Sequence, residues 1–253
     1  MQLYLGIAPC DLPKAKRWRH GFAHMAYRIG DGSTLLRARE AQPMGGGLLC
    51  VSDHMAPDVE DPEAFSAALL RECGRRNGAG VLLDFEGPLR RDLASLTEVL
   101  SPALQQEGRQ LFVPEHYGTC GKEATVLINT ALSGGTLSQR LAEAAETFGG
   151  PGRLGLDLER MRMDFTLPAP NGRGKALSSQ ALQALMEGKQ PAVYFSPELG
   201  AKYFTYRIGS EFHFVLFDDA DTFRQKLRLG KSLGCAAALC LFSEIADLDR
   251  LWG

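Results

Sequence analysis

The chain of 253 residues lacks any uninterrupted apolar run of about eighteen residues, the length that a helix needs to cross a bilayer. It also lacks blocks of like charge. Its net charge of −2 gives no electrostatic reason to expect nucleic acid or an anionic membrane as a partner. Apolar residues make up 45% of the chain, which is enough to form a full core. The composition therefore predicts a chain with neither kind of partner, and it leaves the oligomeric state open.

Cysteine and histidine are too scattered to suggest a disulfide framework or a metal site. None of the six cysteines forms a Cys-x-x-Cys pair, and the i,i+4 pair His20 and His24 has no acidic residue nearby to complete a ligand set. The first residues, Met1 to Pro9, have no basic segment and only a short apolar run, so they indicate a strand rather than an export signal. We expect six free thiols, no metal and no cofactor. We also expect a cytoplasmic location, with a spore compartment as the alternative.

The sequence does contain a regular alternation of apolar strands and helices. Strands that are apolar throughout are typical of parallel sheets covered on both faces. Eight principal strands in a chain of this length indicate a (β/α)8 TIM barrel, here a single domain over residues 1–253. Residues 166–217 interrupt the alternation with one helix and several aromatic-rich segments separated by turns. This pattern predicts a small α+β insertion before the last helix and strand.

Two carboxylates follow the apolar strand that begins at Gly80. Asp84 and Glu86 are two positions apart, so an extended backbone directs both side chains to one face. Their mutual repulsion should raise one pKa of the pair, and a carboxyl that stays protonated near neutral pH can act as a general acid. From the nine residues Gly80 to Pro88 alone, however, a strand that ends in acidic turn residues is the more frequent explanation.

Other polar side chains follow other predicted strands. In a TIM barrel the active site lies at the carboxyl ends of the strands. Around Asp84 and Glu86, the candidates for substrate binding at or near such ends are Asp53, Glu115, Tyr117, Asn129 and Asp157.

The order of these elements resembles glycoside hydrolase family 18, the chitinase-like barrels, including short spore-associated bacterial forms. Four stretches carry the resemblance. Phe22 to Gly32 is similar to the family's second strand and its turn, and Val81 to Glu86 is similar to the fourth-strand signature, which ends Asp-aromatic-Glu. Ser178 to Phe217 is similar to the family's inserted α+β module, and Phe217 to Phe242 is similar to its closing helix and eighth strand.

The resemblance implies a hydrolase, a retaining glycosidase acting on N-acetylhexosamine-containing glycans by a substrate-assisted mechanism. Glu86 would protonate the glycosidic oxygen. Asp84 would orient and stabilise the substrate's own N-acetyl group while it attacks the anomeric carbon. The implied ligand is an oligosaccharide or a peptidoglycan fragment.

The sequence departs from the family pattern around this pair. Ala79 and Leu82 stand where the signature has acids. The stretch Ile128-Asn129-Thr130 lies where the sixth strand of the family presents a Tyr-Asp pair, and Leu241 stands in place of the sugar-stacking Trp of the eighth strand. Three hypotheses therefore stay open: an active glycosidase, a catalytically inactive barrel that binds glycan or another ligand, and a barrel with unrelated chemistry.

Aromatic side chains elsewhere are candidates to replace the missing sugar platform. Tyr4, Tyr27, Phe85 and Tyr117 lie in or near predicted strands. The insertion is also rich in aromatic residues. We expect most aromatic residues of the insertion to form the insertion's own core. The alternative is that some of them line the sugar cleft.

Overall fold

The computed structural model describes residues 1–39, 46–169 and 172–248. The strands, in chain order, are β1 (Gln2–Ile7), β2 (Gly21–Gly30), β3 (Thr34–Arg37), β4 (Leu48–Ser52), β5 (Gly80–Asp84), β6 (Gln110–Pro114), β7 (Thr125–Asn129), β8 (Leu154–Asp157), β9 (Arg162–Leu167), β10 (Lys175–Ala176), β11 (Tyr194–Ser196), β12 (Ala201–Ile208), β13 (Glu211–Phe217) and β14 (Ala237–Leu241). The α-helices are α1 (Pro62–Arg76), α2 (Arg91–Gln106), α3 (Leu137–Phe148), α4 (Ser179–Lys189), α5 (Ala220–Leu233) and α6 (Phe242–Ile245).

Eight parallel strands close into a barrel, in the order β1, β14, β8, β7, β6, β5, β4 and β2, with β2 pairing back onto β1. The strand β3 is an antiparallel addition to β2. The predicted (β/α)8 TIM barrel is therefore confirmed. The close approach of β5 and β6 explains the glycine at the start of β5, because a Cβ on Gly80 would lie 1.9 Å from the Gln110 carbonyl oxygen.

Alternation along the barrel strands separates an inner from an outer layer. On β5, Leu82 belongs to the cluster that fills the barrel, whereas Val81 and Leu83 belong to the larger core that the helices cover. The inner cluster consists of Tyr4, Ala23, Leu48, Cys50, Leu82, Phe112, Leu127, Ala237 and Leu239. Because side chains alternate, the next inward position after Leu82 is Asp84, at the carboxyl end of the strand.

The α+β insertion forms an antiparallel sheet in the order β10, β9, β13, β12, β11. The helix α4 packs on one face of this sheet, in a cluster that includes Leu182, Phe204 and Phe217. The sheet begins at Arg162, earlier than the boundary at 166 that the sequence suggests, because Arg162–Leu167 pairs with β13. The assignment of residues 1–253 to one domain stays a prediction.

All six cysteines are free thiols in this structure. Within residues 1–39, 46–169 and 172–248, every helix is too short or too polar to cross a membrane.

Candidate active site

A cleft of about 570 Å³ opens at the carboxyl ends of the barrel strands. Six carboxylates line it, those of Asp84, Glu86, Glu115, Asp157, Glu159 and Glu244. Its apolar lining residues are Leu82, Leu83, Phe85, Pro114, Leu127, Leu158, Leu239 and Leu241. Of the seven side chains predicted from the sequence, Asp84, Glu86, Glu115, Asn129 and Asp157 line the cleft, whereas Asp53 and Tyr117 do not.

Phe85 anchors the strand end that carries the carboxylate pair. Its side chain is 2% exposed and packs edge-on against Tyr117, with ring centroids 5.4 Å apart. Asp84, on one side of this anchor, is half-buried, and Glu86, on the other side, is exposed. Both carboxylates line the cleft, as the i,i+2 spacing predicts.

The carboxyl of Asp84 has a raised pKa. Burial is the largest cause, the negative charges of Glu86 and Asp53 add to it, and together they bring the pKa of Asp84 to about 6. A hydrogen bond from the Cys50 thiol acts in the opposite direction. Repulsion within the Asp84/Glu86 pair thus contributes as the sequence suggests, and the affected group is Asp84.

Asp53 holds the turn that carries Glu86 instead of lining the cleft. Its carboxylate accepts hydrogen bonds from the backbone N–H of Glu86 at 3.0 Å and of Gly87 at 3.4 Å. These contacts favour a positioning role for Asp53, and its assignment as a substrate-binding residue stays a prediction that the structure does not test. The sequence could not reveal these contacts, because Asp53 and Glu86 follow different strands, β4 and β5.

Replacement of Asp53 by Asn should lower kcat by roughly 10- to 10²-fold with little change in KM, because a small misplacement of a catalytic group is costly. The Asn amide can accept only one of the two hydrogen bonds well, since its NH2 group would face the second N–H. The measurement is steady-state kinetics on an N-acetylglucosaminide, with Asp31→Asn as an exposed control. A wild-type kcat for Asp53→Asn would contradict the positioning role.

Tyr117 lies in the core and does not line the cleft, so its placement gives no support to its assignment as a substrate-binding residue, which stays a prediction. It is 0% exposed, and its hydroxyl accepts a hydrogen bond from the Arg90 N–H at 3.0 Å. Tyr4 and Tyr27 are also buried, and their hydroxyls donate to Gln110 and Glu72. None of these tyrosines therefore replaces the missing aromatic platform.

The insertion's aromatic residues also lie outside the cleft lining. Phe204 and Phe217 are buried under α4, and Phe214 and Tyr203 pack on the opposite face of the sheet. This placement agrees with an expected role in the insertion's own core, although Tyr194 and Phe212 are each 56% exposed.

Asn129 and Leu241 line the cleft at the positions where the family pattern has other residues. The Asn129 amide donates a hydrogen bond to Glu159, and its carbonyl oxygen accepts one from the Ala131 N–H at 2.7 Å. Glu115, which also lines the cleft, forms an ion pair with Arg140 of α3. The leucine leaves the cleft without an aromatic surface at this point.

Glu159 and Glu244 are lining residues that the choice of candidates missed. Asp157-Leu158-Glu159 repeats the Asp-x-Glu spacing of Asp84-Phe85-Glu86, and this repeat could have identified Glu159. Glu244 lies in the short helix α6 directly after the last barrel strand. Among the described residues, no group of three or more His, Cys, Asp or Glu side chains is arranged to hold a metal ion.

Known proteins match this chain in structure and not in sequence. No protein-family model matches the sequence, and no curated protein matches it. Among solved structures, a chitinase from Chromobacterium violaceum is 17% identical, with a TM-score of 0.71 over 99% of this chain and 96% of its own. The chain has the fold of the family 18 glycoside hydrolases.

Two further structures support the family 18 fold. The spore cortex-lytic enzyme SleL of Bacillus megaterium is 14% identical, with a TM-score of 0.70 over 99% of this chain and 72% of that one. A family 18 chitinase from Cycas revoluta, solved in complex with (GlcNAc)3, is 13% identical, with a TM-score of 0.69 over 100% of this chain and 97% of its own. At these identities the likeness establishes the fold alone, and the resemblance in fold read from the sequence is confirmed.

Proposed function

We propose that the protein is a retaining glycosidase that cleaves N-acetylhexosamine-containing glycans with Glu86 as the proton donor. The observation that carries this proposal is the placement of Asp84 and Glu86 together in the cleft, at the end of the fourth strand of a family 18-like barrel. The backbone that carries both side chains is anchored by the Phe85 ring, which packs against Tyr117, and by Asp53, which accepts a hydrogen bond from the Glu86 N–H.

The proposed reaction has two steps. Glu86 transfers its proton to the glycosidic oxygen as the bond from that oxygen to the anomeric carbon breaks, and the acetamido oxygen of the same sugar attacks that carbon. Ionised Asp84 accepts a hydrogen bond from the acetamido N–H and stabilises the positive charge that develops on the ring. Water then attacks the anomeric carbon while the Glu86 carboxylate takes its proton, which restores the acetamido group and the starting enzyme.

A catalytically inactive barrel that binds glycan is the second candidate. Leu241 in place of an aromatic platform and Asn129 in place of a Tyr-Asp pair both favour it, because they remove groups that would hold the reacting sugar. Both candidates place a ligand in the same cleft, so hydrolysis is the property that separates them.

The experiment that tests the proposal compares two substrates that differ only in the acetamido group. Wild type should hydrolyse an N-acetylglucosaminide with an alcohol leaving group, and it should not measurably hydrolyse the matching glucoside, because the glucoside has no internal nucleophile. Equal rates on both substrates would contradict the substrate-assisted mechanism. Binding of the N-acetylated ligand without hydrolysis would favour the inactive barrel.

A further inference from the structure

Asp157 is a second inward-facing carboxyl at the mouth of the barrel. It is the last residue of β8, as Asp84 is of β5. A Cβ placed on Gly155, two positions earlier, would lie 2.9 Å from the interior side chain of Leu127, so this face of β8 points into the barrel. Asp157 and Asp84 therefore project into one cleft, above a common floor that includes Leu82 and Leu239.

Among the described residues, Asp157 and Glu86 are the lining carboxylates whose side chains have no hydrogen-bond or ion-pair partner within the protein, and of the two Glu86 is exposed and Asp157 is not. Glu115 pairs with Arg140, and Glu159 accepts a hydrogen bond from Asn129. Glu244 accepts a hydrogen bond from the Arg160 N–H at 2.6 Å. Within the described parts of the chain, the Asp157 carboxylate has neither a hydrogen bond nor an ion pair, and no Lys or Arg lines the cleft.

The surroundings of Asp157 disfavour its ionised form. Burial is the largest cause, followed by the charges of Glu159, Asp84 and Glu244, and together they raise the pKa of Asp157 to about 7. The other polar side chains that line the cleft are Glu86, Glu115, Asn129 and His116, whereas the Cys240 thiol of the adjacent strand β14 lies in the outer core. A largely buried carboxylate without a partner is stabilised strongly by any cation that can reach it.

We propose that Asp157 binds the ammonium group of a de-N-acetylated hexosamine, so that the cleft prefers partly deacetylated glycans to fully acetylated ones. This inference rests on the proposed function: one sugar keeps the acetamido group that reacts beside Asp84, and another sugar of the same chain carries the free amine. Three N–H donors on the ammonium group match a carboxylate that lacks donors. An organic cation fits better than a metal ion, because the described residues offer no metal-ligand group.

The test measures binding in the Glu86→Gln background, in which ligands are not consumed. Calorimetry at pH 6 compares an N-acetylglucosamine tetrasaccharide with the same tetrasaccharide carrying glucosamine at one or two positions. We expect the partly deacetylated ligand to bind about 10- to 10²-fold more tightly, because it adds one charge-assisted hydrogen-bonded pair to the complex. Its binding should also release protons, seen as a dependence of the heat on the buffer's ionisation enthalpy, because the cation lowers the pKa of Asp157.

A second substitution assigns the effect to Asp157. Adding Asp157→Asn should abolish the preference and the proton release. Adding Glu159→Gln is the matched control, since Glu159 already has a partner, and it should keep most of the preference. Thermal unfolding checks that each variant is folded.

Equal affinity for the two tetrasaccharides, or no binding of either, would overturn the proposal. So would a preference that survives Asp157→Asn, because the negative charge of the cleft as a whole would then explain it. Hydrolysis of the fully acetylated ligand by wild type tests the proposed function separately, so a failure of one is distinguishable from a failure of the other.

Discussion

Replacement of Glu86 by Gln lowers kcat/KM for an N-acetylglucosaminide with an alcohol leaving group by about 10²- to 10⁴-fold, the usual loss when a general acid is removed. Gln keeps the shape of the side chain and has no proton to transfer. The backbone N–H of residue 86 still donates to Asp53, so the turn keeps its anchor. Steady-state kinetics on the purified variant gives the measurement.

The loss should depend on the leaving group. A substrate whose leaving group departs without protonation, such as a nitrophenolate, should lose much less activity in the first step, because proton donation matters little there. Glu146→Gln is the matched control, since Glu146 is an exposed carboxylate on α3 outside the cleft, and it should keep wild-type kinetics. A Glu86→Gln protein that cleaves the alcohol glycoside at the wild-type rate would contradict the assignment of the acid.

Replacement of Asp218 by Ala should cost about 3–5 kcal/mol of the free energy of unfolding, the range for removing one partner of a buried ion pair. Asp218 is 0% exposed and Lys226 is 1% exposed, and Lys226 Nζ lies 2.7 Å from Asp218 Oδ2. The same carboxylate oxygen accepts the Met161 N–H at 2.9 Å. The variant leaves a buried ammonium group without its counter-charge, at the point where the insertion, β8 and α5 meet.

Denaturant unfolding of three variants tests this account. The double replacement Asp218→Leu with Lys226→Met removes both charges and should cost less than Asp218→Ala alone. Lys14→Met breaks the exposed pair with Asp11 and should leave the free energy of unfolding almost unchanged. An Asp218→Ala protein within about 1 kcal/mol of wild type would show that the buried pair contributes little.

Strand periodicity carries most of the information about this fold. Apolar strands such as Gly80–Asp84 need cover on both faces, and a closed parallel barrel with outer helices supplies it. The sequence pattern does not predict β9 as a separate strand, because β9 follows β8 closely and its partner β13 lies far along the chain. The pairing between two distant segments is not visible in the local pattern of either segment.

The candidate site divides in a similar way. Residues that end barrel strands, such as Asp84, Asn129 and Asp157, meet in the cleft because parallel strands all end at the same edge. Proximity to a strand end does not fix the direction of a side chain, so Asp53 turns to the backbone of Glu86 and Tyr117 turns into the core. Those directions depend on contacts between separate segments, which a single sequence does not display.

The anomeric configuration of the first product tests the central claim most directly. Proton NMR during the first minutes of hydrolysis of a β-linked N-acetylglucosamine oligosaccharide should show the β anomer first, because attack by the acetamido group and then by water inverts the anomeric carbon twice. The α anomer would later accumulate by mutarotation. An α anomer as the first product would contradict the substrate-assisted mechanism, and binding with no product at all would contradict catalysis by Glu86.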